Sequence, residues 1–440
     1  MTPEALDCSV IIPTVGRPGL QTLVDSLATP PCPREVIVVD DRSARRRRRA
    51  GRLRLSAPDQ LPTRVVAGPA RGPAAARNVG LRLAHAPWVV FLDDDVQIDP
   101  QWTSQLAADL AQASNLGAVG VQGRLVVPLP TDRRPTDWER QVAGLAGAAW
   151  ITADMAYRRD VLLTLGGFDE RFPRAYREDA ELAARLRVRG CRLIRGGRRT
   201  IHPVGAAGPW VSLRRQAGNA DDALLRRLYG PQWRILCGAP PGRRPRHALV
   251  TAAGAMAALA WLTGARRPAA LAGLAWLAGT AEFAARRIAP GPRTAREVAT
   301  MAVTSVAIPP LAVGHYLYGW LRHRGARPIP AATTADVAGD AASDGGAGAT
   351  VNDTATAPTP AEPTVAPASA GGVTGTAPSI RAAAPAPTGK RALPAPTGKG
   401  AAPTPTGKGA APAPTGRRAV AAPASRAAAT APTDRVGVRA

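Results

Sequence analysis

Three consecutive aspartates, Asp93, Asp94 and Asp95, end an apolar run that begins at Trp88. The run WVVFL is typical of a strand that is buried on both faces of a parallel sheet. Uncompensated charges are too costly to bury, so the carboxylates must emerge where the strand ends. Hard oxygen ligands at the carboxyl end of such a strand suit a divalent cation that holds phosphates. The segment therefore predicts nucleotide chemistry.

The side chains around this motif can be arranged from the sequence as well. Alternation along an extended strand predicts that Asp93 and Asp95 lie on the same side, with Asp94 between them. His202 lies in the segment TIHPV, after the predicted core strands. An imidazole at that place can complete a metal shell, although a single histidine is more often structural.

Two more acidic segments stand at the ends of predicted elements. Val36–Asp40 predicts a second buried strand, and Asp41 follows it directly. A carboxylate there can accept hydrogen bonds from a nucleobase, or it can cap a helix. Glu178 and Asp179 begin a predicted helix, where an acid is commonly a cap. The residue types alone leave both roles open.

Elements that could position these acids alternate along residues 1–235. Short apolar strands and helical patterns follow each other there, which predicts a largely parallel α/β sheet. The predicted strands are Ser9–Ile12, Val36–Asp40, Arg64–Val66, Val89–Leu92, Ala118–Leu125, Ile151–Tyr157 and Arg192–Ile194. The predicted helices are Gly19–Ala28, Ala74–His85, Pro100–Ala113, Arg159–Leu165 and Asp179–Arg189. The arginine run Arg45–Arg49 is predicted to lie in a loop as a solvated or membrane-facing patch.

A hydrophobic region, residues 243–325, follows the α/β part. Its apolar runs Ala248–Thr263, Pro268–Phe283 and Val298–Leu321 are bracketed by arginines. The first two are shorter than the roughly 20 residues that cross a bilayer, and Pro309 and Pro310 would kink the third. Three arrangements stay open: a helical hairpin with a third embedded or spanning helix, helices lying in the membrane plane, and a soluble helical appendage. Membrane attachment is predicted for this region. Because every flank is basic, the charge pattern assigns no orientation.

The remaining composition narrows the class of protein. Residues 327–440 are dominated by Ala, Pro, Thr and Gly, which predicts a disordered, low-complexity tail. The net charge of +25 attracts anionic membranes, nucleotides or nucleic acid without choosing among them. A nucleic-acid-binding protein would interleave arginines with aromatic residues, yet aromatics are only 4% of the chain. No specific nucleic-acid partner is expected.

Four segments in this order resemble the inverting glycosyltransferases of family 2. They are SVIIPTVGRP (Ser9–Pro18), VIVVDDRS (Val36–Ser43), RGPAAARNVGLRLAHAPWVVFLDDDV (Arg71–Val96) and GGFDERFPRAYREDAELAARLRVRG (Gly166–Gly190). The resemblance covers roughly residues 8–205. It implies the nucleotide-sugar-binding fold called GT-A, a mixed and mostly parallel central sheet flanked by helices. Membrane-type helices and the disordered tail would follow this domain.

The resemblance also implies a donor side and a metal site. Asp95 would bind Mg²⁺ or Mn²⁺ directly, Asp93 would contact the ribose or a metal-bound water, and His202 would complete the metal shell. Asp41 would accept hydrogen bonds from the nucleotide base. The expected donor-binding residues are Pro13, Thr14, Arg17, Asp41, Arg77, Asn78 and Asp93.

On the acceptor side, the resemblance implies that Asp179 is the general base. It would take the proton from the acceptor hydroxyl as that oxygen attacks the anomeric carbon, which inverts the configuration. Gly167, Phe168, Asp169 and Glu178 would form the acceptor side. Two departures from the family pattern matter. Val15 and Gly16 replace the more usual Tyr-Asn, and Trp210–Asp222 lacks the Gln-x-x-Arg-Trp motif of processive synthases, which favours transfer of a single sugar.

The sequence therefore predicts a membrane-associated enzyme that moves one sugar from a nucleotide-diphosphate sugar to a lipid-linked or cell-envelope glycan. Its catalytic domain would face the cytoplasm, where nucleotide sugars are made. Two alternatives stay open. A nucleotidyltransferase on a related α/β fold would also place metal-binding acids near a nucleotide, and a non-enzymatic basic protein would bind nucleic acid or membrane through its charge.

Overall fold

The computed structural model describes residues 5–329, and a mixed eight-stranded sheet organises most of them. Its strands are β1 (Leu6–Thr14), β2 (Pro33–Asp40), β3 (Thr63–Ala67), β4 (Trp88–Leu92), β5 (Gln97–Ile98), β6 (Gly120–Val126), β7 (Asp154–Arg158) and β8 (Leu193–Ile201). They are ordered β3-β2-β1-β4-β7-β6-β8-β5 across the sheet. The pairs β1–β2, β1–β4, β2–β3 and β6–β8 are parallel, whereas β4–β7, β6–β7 and β5–β8 are antiparallel. This sheet confirms the fold class predicted from the sequence.

Helices cover the sheet and then continue beyond it. They are α1 (Leu20–Leu27), α2 (Ala44–Ala50), α3 (Pro73–Leu83), α4 (Trp102–Asn115), α5 (Asp137–Ala143), α6 (Arg159–Thr164), α7 (Glu178–Val188), α8 (Val211–Arg214), α9 (Asn219–Tyr229), α10 (Trp233–Leu236), α11 (Arg244–Leu262), α12 (Arg266–Ile288) and α13 (Ala295–Arg322). Short 3₁₀ turns occupy Gly144–Gly147, Arg215–Gly218 and Gly230–Gln232.

The two faces of the sheet carry separate apolar layers. Val10 and Ile12 of β1 pack with residues of α1 and α4, whereas Ile11 packs on the other face with α3 and α7. This division follows from the alternation of side chains along a strand. Strands that are buried on both faces lack polar positions, so β4 and residues 10–13 of β1 read as continuous apolar runs.

The arginine run was predicted wrongly as a loop, because residues 44–50 form helix α2. Arginine has a good helix propensity, and the hydroxyl of Ser43 caps the helix by accepting from the backbone N–H of Arg46. Arg47 donates to the carbonyl oxygens of Asp40 and Gly68, each at 2.8 Å. One member of the run therefore ties the end of β2 to a neighbouring loop.

A buried ion-pair network lies between the sheet and α4 and was not predicted. The guanidinium of Arg198 in β8 is fully buried and donates to Asp154, Asp109 and the carbonyl of Val121 at 2.8, 2.8 and 2.9 Å. The indole N–H of Trp102 donates to Asp154 at 2.9 Å. The arginine-rich sequence of β8 hid its strand pattern, and only the end Arg192–Ile194 was predicted as a strand.

Replacing Arg198 with methionine should lower the free energy of unfolding of the full chain by about 3–5 kcal/mol, because Asp109 and Asp154 would remain buried without their cation. A urea titration followed by circular dichroism would measure the change. Arg199→Met is the matched control, since Arg199 is the next residue of the same strand and is exposed. The control should stay within about 0.5 kcal/mol of the parent. Equal effects of the two substitutions would contradict a structural role of the network.

The hydrophobic region folds into α11, α12 and α13, and Pro309 and Pro310 lie inside α13. By length and composition, α13 is the one helix within residues 5–329 that could cross a membrane. Part of α13 is nevertheless covered by protein. A Cβ on Gly319 would lie 2.5 Å from Ala220 of α9, and Arg227 of α9 donates to the carbonyl of Trp320 at 2.7 Å. The tail predicted over 327–440 lies outside the described residues from 330 onward.

Candidate active site

The predicted acids meet at the carboxyl edge of the sheet. The parallel strands β2, β1 and β4 end there side by side, at Asp40, Thr14 and Leu92. The backbone N–H of Asp41 donates to the carbonyl of Thr14 at 2.9 Å. The Thr14 hydroxyl in turn donates to Asp94 at 2.5 Å. Asp41 and Asp93, which are 52 residues apart in the sequence, are thereby brought to one edge.

Asp94, the middle acid, is buried and holds the three-aspartate segment to the end of β1. Besides Thr14, it accepts from the backbone N–H of Val15 at 3.3 Å and from Arg17 at 2.8 Å, and it is only 3% exposed. Residues 94 and 95 form a turn, so the extended strand assumed for this motif was wrong. The turn directs Asp94 inward. Donor binding was also predicted for Thr14 and Pro13, but the Thr14 hydroxyl donates to Asp94 and Pro13 is buried in β1.

Asp93, Asp95 and His202 form a group suited to a divalent cation. One ligand atom of each lies within 4.8 Å of the others. Oδ1 of Asp95 is buried and has no hydrogen-bond partner among residues 5–329, while Nε2 of His202 lies 3.7 Å from it. A buried carboxylate oxygen without a partner costs free energy that a bound cation would offset. The two carboxylates and the imidazole therefore fit Mg²⁺ or Mn²⁺.

The tautomer of His202 supports this fit. Its Nδ1 lies 3.2 Å from the carbonyl oxygen of Pro203. Because a carbonyl oxygen can only accept, the ring hydrogen is assigned to Nδ1, and Nε2 presents a lone pair toward Asp95. Burial also raises the pKa of Asp95, with Arg17 acting in the opposite direction and Asp93 adding to the rise. A positive charge beside Asp95 would therefore stabilise its ionised form.

Arg17 lies at the mouth of the same group. Its Nη1 is 2.8 Å from Oδ1 of Asp94 and 2.6 Å from Oδ2 of Asp95. About half of its side chain is exposed, at 48%. A half-exposed guanidinium beside metal-type carboxylates can also reach an anionic group of a ligand.

Asp41 sits at the end of β2 beneath a tight loop. Its two carboxylate oxygens accept from the backbone N–H groups of Ala70 and Gly72, at 2.6 and 2.9 Å. A Cβ on Gly72, whose φ is +100°, would lie 2.2 Å from the carbonyl of Pro173, so only glycine allows this approach. Burial raises the pKa of Asp41 despite these donors. A carboxylate has about four acceptor sites, so capacity remains for a ligand N–H.

Arg77 and Asn78 lie beneath the site instead of facing a ligand. Arg77 is 1% exposed, and its terminal nitrogens bind Glu178 and Asp93 at 2.8 Å each. The side chain of Asn78 binds the backbone of Phe168 through both its oxygen and its nitrogen, at 2.8 and 2.9 Å. The prediction of direct nucleotide contacts by these two residues is corrected, because α3 packs closely on β1 and turns both side chains inward.

The acceptor-side loop is fixed in the same manner. Gly166 and Gly167 have φ of +77° and +72°, and a Cβ on Gly167 would lie 2.3 Å from the Asn78 oxygen. Phe168 is 2% exposed, and its ring meets Phe91 edge-on at 5.1 Å. Phe168 therefore supports the loop from the core, and the prediction that it lines an acceptor mouth is corrected. Asp169 pairs with Arg171 at 2.6 Å.

Glu178 and Asp179 begin α7 after a strained residue. Arg177 has a φ of +76°, a left-handed conformation that is rare outside glycine and often marks functional sites. Glu178 is buried against Arg77, and burial together with Asp179 raises the pKa of Glu178 to about 8. Asp179 is half-buried, and burial raises its pKa as well. An acid that only caps a helix needs neither the left-handed conformation of Arg177 nor the burial of Glu178 against Arg77.

Acids of α9 hold the loop that precedes Asp179, and they were not predicted. Asp222 accepts from Arg177 at 3.1 Å, and Asp221 accepts from Arg174 at 3.0 Å. Arg177 also donates to the hydroxyl of Tyr176 at 3.0 Å. The consecutive acids in the segment QAGNADD were the only sequence signal, and nothing in that segment shows which arginines they would meet.

Replacing Arg77 with methionine should lower kcat about 10–100-fold, because Asp93 and Glu178 would lose the cation that orients both. Arg77→Lys should recover part of the loss, since it restores the charge without the fork geometry. The measurement compares kcat with the affinity for Mn²⁺ in the same preparation. Arg82→Met, on the exposed face of α3, is the control. Loss of kcat by the control, or equal loss by the lysine variant, would contradict this role.

This chain is similar to known proteins over part of its length. A family model described as Glycosyl transferase family 2 matches residues 9–164. The O-antigen biosynthesis protein RfbC of Myxococcus xanthus is 32% identical over 216 residues, which cover 42% of this chain and 16% of that protein. The chain thus spans less than a fifth of the length of this relative.

Two solved structures are similar to part of this chain. S. aureus TarS is 19% identical, covers 52% of this chain and 42% of its own, and gives a TM-score of 0.31. The glucosyl-3-phosphoglycerate synthase of Mycobacterium tuberculosis, in complex with Mn²⁺, UDP-glucose and phosphoglyceric acid, is 18% identical. It covers 55% of this chain and 82% of its own, with a TM-score of 0.34.

Proposed function

We propose that this chain is a metal-dependent, inverting glycosyltransferase, because a family model described as Glycosyl transferase family 2 matches its residues 9–164. It moves one sugar from a nucleotide-diphosphate sugar to a hydroxyl acceptor. One observation carries the proposal. The guanidinium of Arg77 binds both Asp93, of the metal-type group, and Glu178, the neighbour of Asp179. The donor acids and the candidate base therefore lie within the span of one side chain.

The donor side is assigned to the carboxyl edge of β1, β2 and β4. Asp41 accepts from an N–H of the base, and Arg17 meets the phosphates. Asp93, Asp95 and His202 would hold Mg²⁺ or Mn²⁺, and such a cation supplies charge stabilisation to the departing diphosphate. Arg77 keeps Asp93 oriented toward this group.

Asp179 is the general base of the reaction. Its carboxylate takes the proton of the acceptor hydroxyl while that oxygen forms a bond to the anomeric carbon. The bond from this carbon to the diphosphate oxygen breaks, and its electron pair leaves with the nucleoside diphosphate. One displacement from the opposite face inverts the anomeric configuration. A pKa raised by burial makes Asp179 a stronger base than an exposed aspartate, which suits this step.

The acceptor is proposed to be a lipid-linked or cell-envelope glycan. The support is the similarity to a protein described by O-antigen biosynthesis, together with the apolar helices α11–α13. Attachment at the cell membrane, with the catalytic domain on the cytoplasmic side, would bring nucleotide sugars and such an acceptor to one place.

A panel of nucleotide sugars tests the proposal. The purified chain should release nucleoside diphosphate only when Mn²⁺ or Mg²⁺ and an acceptor glycan are present, and NMR of the product should show the inverted anomer. Release of pyrophosphate would indicate a nucleotidyltransferase instead. A retained anomer would refute direct displacement by a single base.

A further inference from the structure

The helices α11 and α12 form an apolar hairpin with little protein around it. Within residues 5–329, α11 contributes no buried residue at all, and α12 buries only four. The large apolar side chains Leu249, Met256, Leu259, Trp261, Leu262, Leu271, Leu274 and Leu277 are each more than half exposed. Soluble monomers rarely leave a contiguous apolar surface of this kind uncovered.

Both ends of the hairpin are basic. The end at which the hairpin leaves the protein, which we call its base, carries Arg243, Arg246 and Arg286, all paired with the single acid Glu282, and also Arg244. The opposite end, its tip, carries Arg266 and Arg267, and the guanidinium carbon of Arg266 lies 5.8 Å from the centroid of the Trp261 ring. Between these ends, residues 248–263 and 268–281 hold no charged residue.

Contacts at the base attach the hairpin to the rest of the chain. Arg287 of α12 is buried and donates to Asp137 of α5 at 3.0 Å and to Thr304 of α13 at 2.8 Å. Arg244 of α11 lies over the ring of Tyr316 at 3.9 Å. These contacts hold the base near the catalytic part. The apolar residues between the base and the tip have little protein around them.

Helix α13 differs from the hairpin because one side of it is covered by protein, although within residues 5–329 it alone satisfies the length and composition of a membrane span. Its residues Met301, Thr304, Ser305, Ile308 and Ala312 are buried and form one stripe along the helix. Two of them offer hydroxyls to Arg287. A helix with such a protein-facing stripe links the hairpin to α9.

We propose that the α11–α12 hairpin inserts into a bilayer of anionic lipid. The inference deepens the membrane part of the proposed function and rests on it. The charge-free run 248–263 is 16 residues, or about 24 Å of helix, which is shorter than the roughly 30 Å of a hydrocarbon core, so the arginines at both of its ends stay close to the headgroups. The base and tip arginines then both reach headgroups, and Trp261 lies at the interface.

Flotation of the purified full chain with lipid vesicles tests this. Vesicles that contain phosphatidylglycerol should carry the parent chain upward, and the double variant Leu259→Glu with Leu274→Glu should bind at least about tenfold less. Leu116→Glu with Leu163→Glu is the matched control, because both leucines are exposed on the catalytic part. The control should float like the parent. Thermal melts check that all variants are folded.

A second pair of variants separates charge from apolar insertion. Arg266→Glu with Arg267→Glu should weaken binding to phosphatidylglycerol vesicles roughly tenfold and binding to pure phosphatidylcholine much less. Flotation of the leucine variant at the parent level would overturn the proposal. So would a dimer in light scattering that the leucine variant converts to monomer, since a second copy would then cover the hairpin. Neither readout needs turnover, so failure here leaves the enzymatic proposal untouched.

Discussion

Asp179→Asn should lower kcat by about 10²–10⁴-fold, the range that general-base catalysis contributes. Asparagine keeps the shape of the side chain but cannot accept the proton of the acceptor hydroxyl. Nucleotide affinity should stay close to that of the parent, because the donor side is formed by residues of β1, β2 and β4. Steady-state kinetics together with calorimetric titration of nucleoside diphosphate would separate the two effects.

Asp160→Asn is the control for this substitution, since the Asp160 side chain is 70% exposed on α6. The control should keep full activity. Turnover by the Asp179 variant at the parent rate would remove Asp179 from the chemistry. A parallel loss of nucleotide affinity would indicate a structural role for this carboxylate.

The pH dependence of kcat/KM follows from the same residue. A general base acts only when deprotonated, and burial raises the pKa of Asp179 above that of an ordinary aspartate. Activity should therefore fall as the pH is lowered, with a midpoint above the ordinary aspartate value near 3.9. Asp179→Glu should move this midpoint, whereas a profile unchanged by that substitution would assign the acid limb to another group.

The second large effect is expected at Asp95. Asp95→Asn, or chelation of divalent cations from the parent, should lower activity about 10³-fold or more, because a metal supplies several kcal/mol of charge stabilisation to the leaving group. The signal of free Mn²⁺ in electron paramagnetic resonance measures binding directly, without turnover. The variant should leave far more Mn²⁺ free than the parent.

Asp132→Asn is the matched control, because Asp132 is an exposed acid outside the group. It should bind Mn²⁺ and turn over like the parent. An enzyme that works equally well after chelation would refute the metal assignment. Tight Mn²⁺ binding by the Asp95 variant would place the ligand set elsewhere.

The sequence was informative where burial dictates residue type. Strand β4 and the second halves of β1 and β2 are covered on both faces, so their apolar runs are unbroken, and the first polar residues after them mark one edge of the sheet. The gathering of Asp41, Asp93 and Asp95 could be predicted for that reason. In the structure, His202 joins Asp93 and Asp95 because it comes directly after the end of β8.

Side-chain direction could not be predicted in the same way. Asp93, Asp94 and Asp95 are chemically identical, and only the turn after β4 decides that Asp94 is the buried anchor. Arg77 and Asn78 look like surface or ligand-binding residues in the sequence, yet α3 lies so close to β1 that they point into the core. Arg198 escaped notice because a fully buried arginine is stable only with partners from distant strands.

Helix α9 has a practical consequence for anyone who wants to work with a shorter protein. It presents one surface to α13 through Ala220 and Arg227, and its acids hold the loop that precedes Asp179. Truncation near residue 235, after the last motif of the sequence, would strip α9 of that covering. Such a fragment would keep every residue assigned to chemistry and still be a poor surrogate for the enzyme, so the cut belongs beyond Arg322.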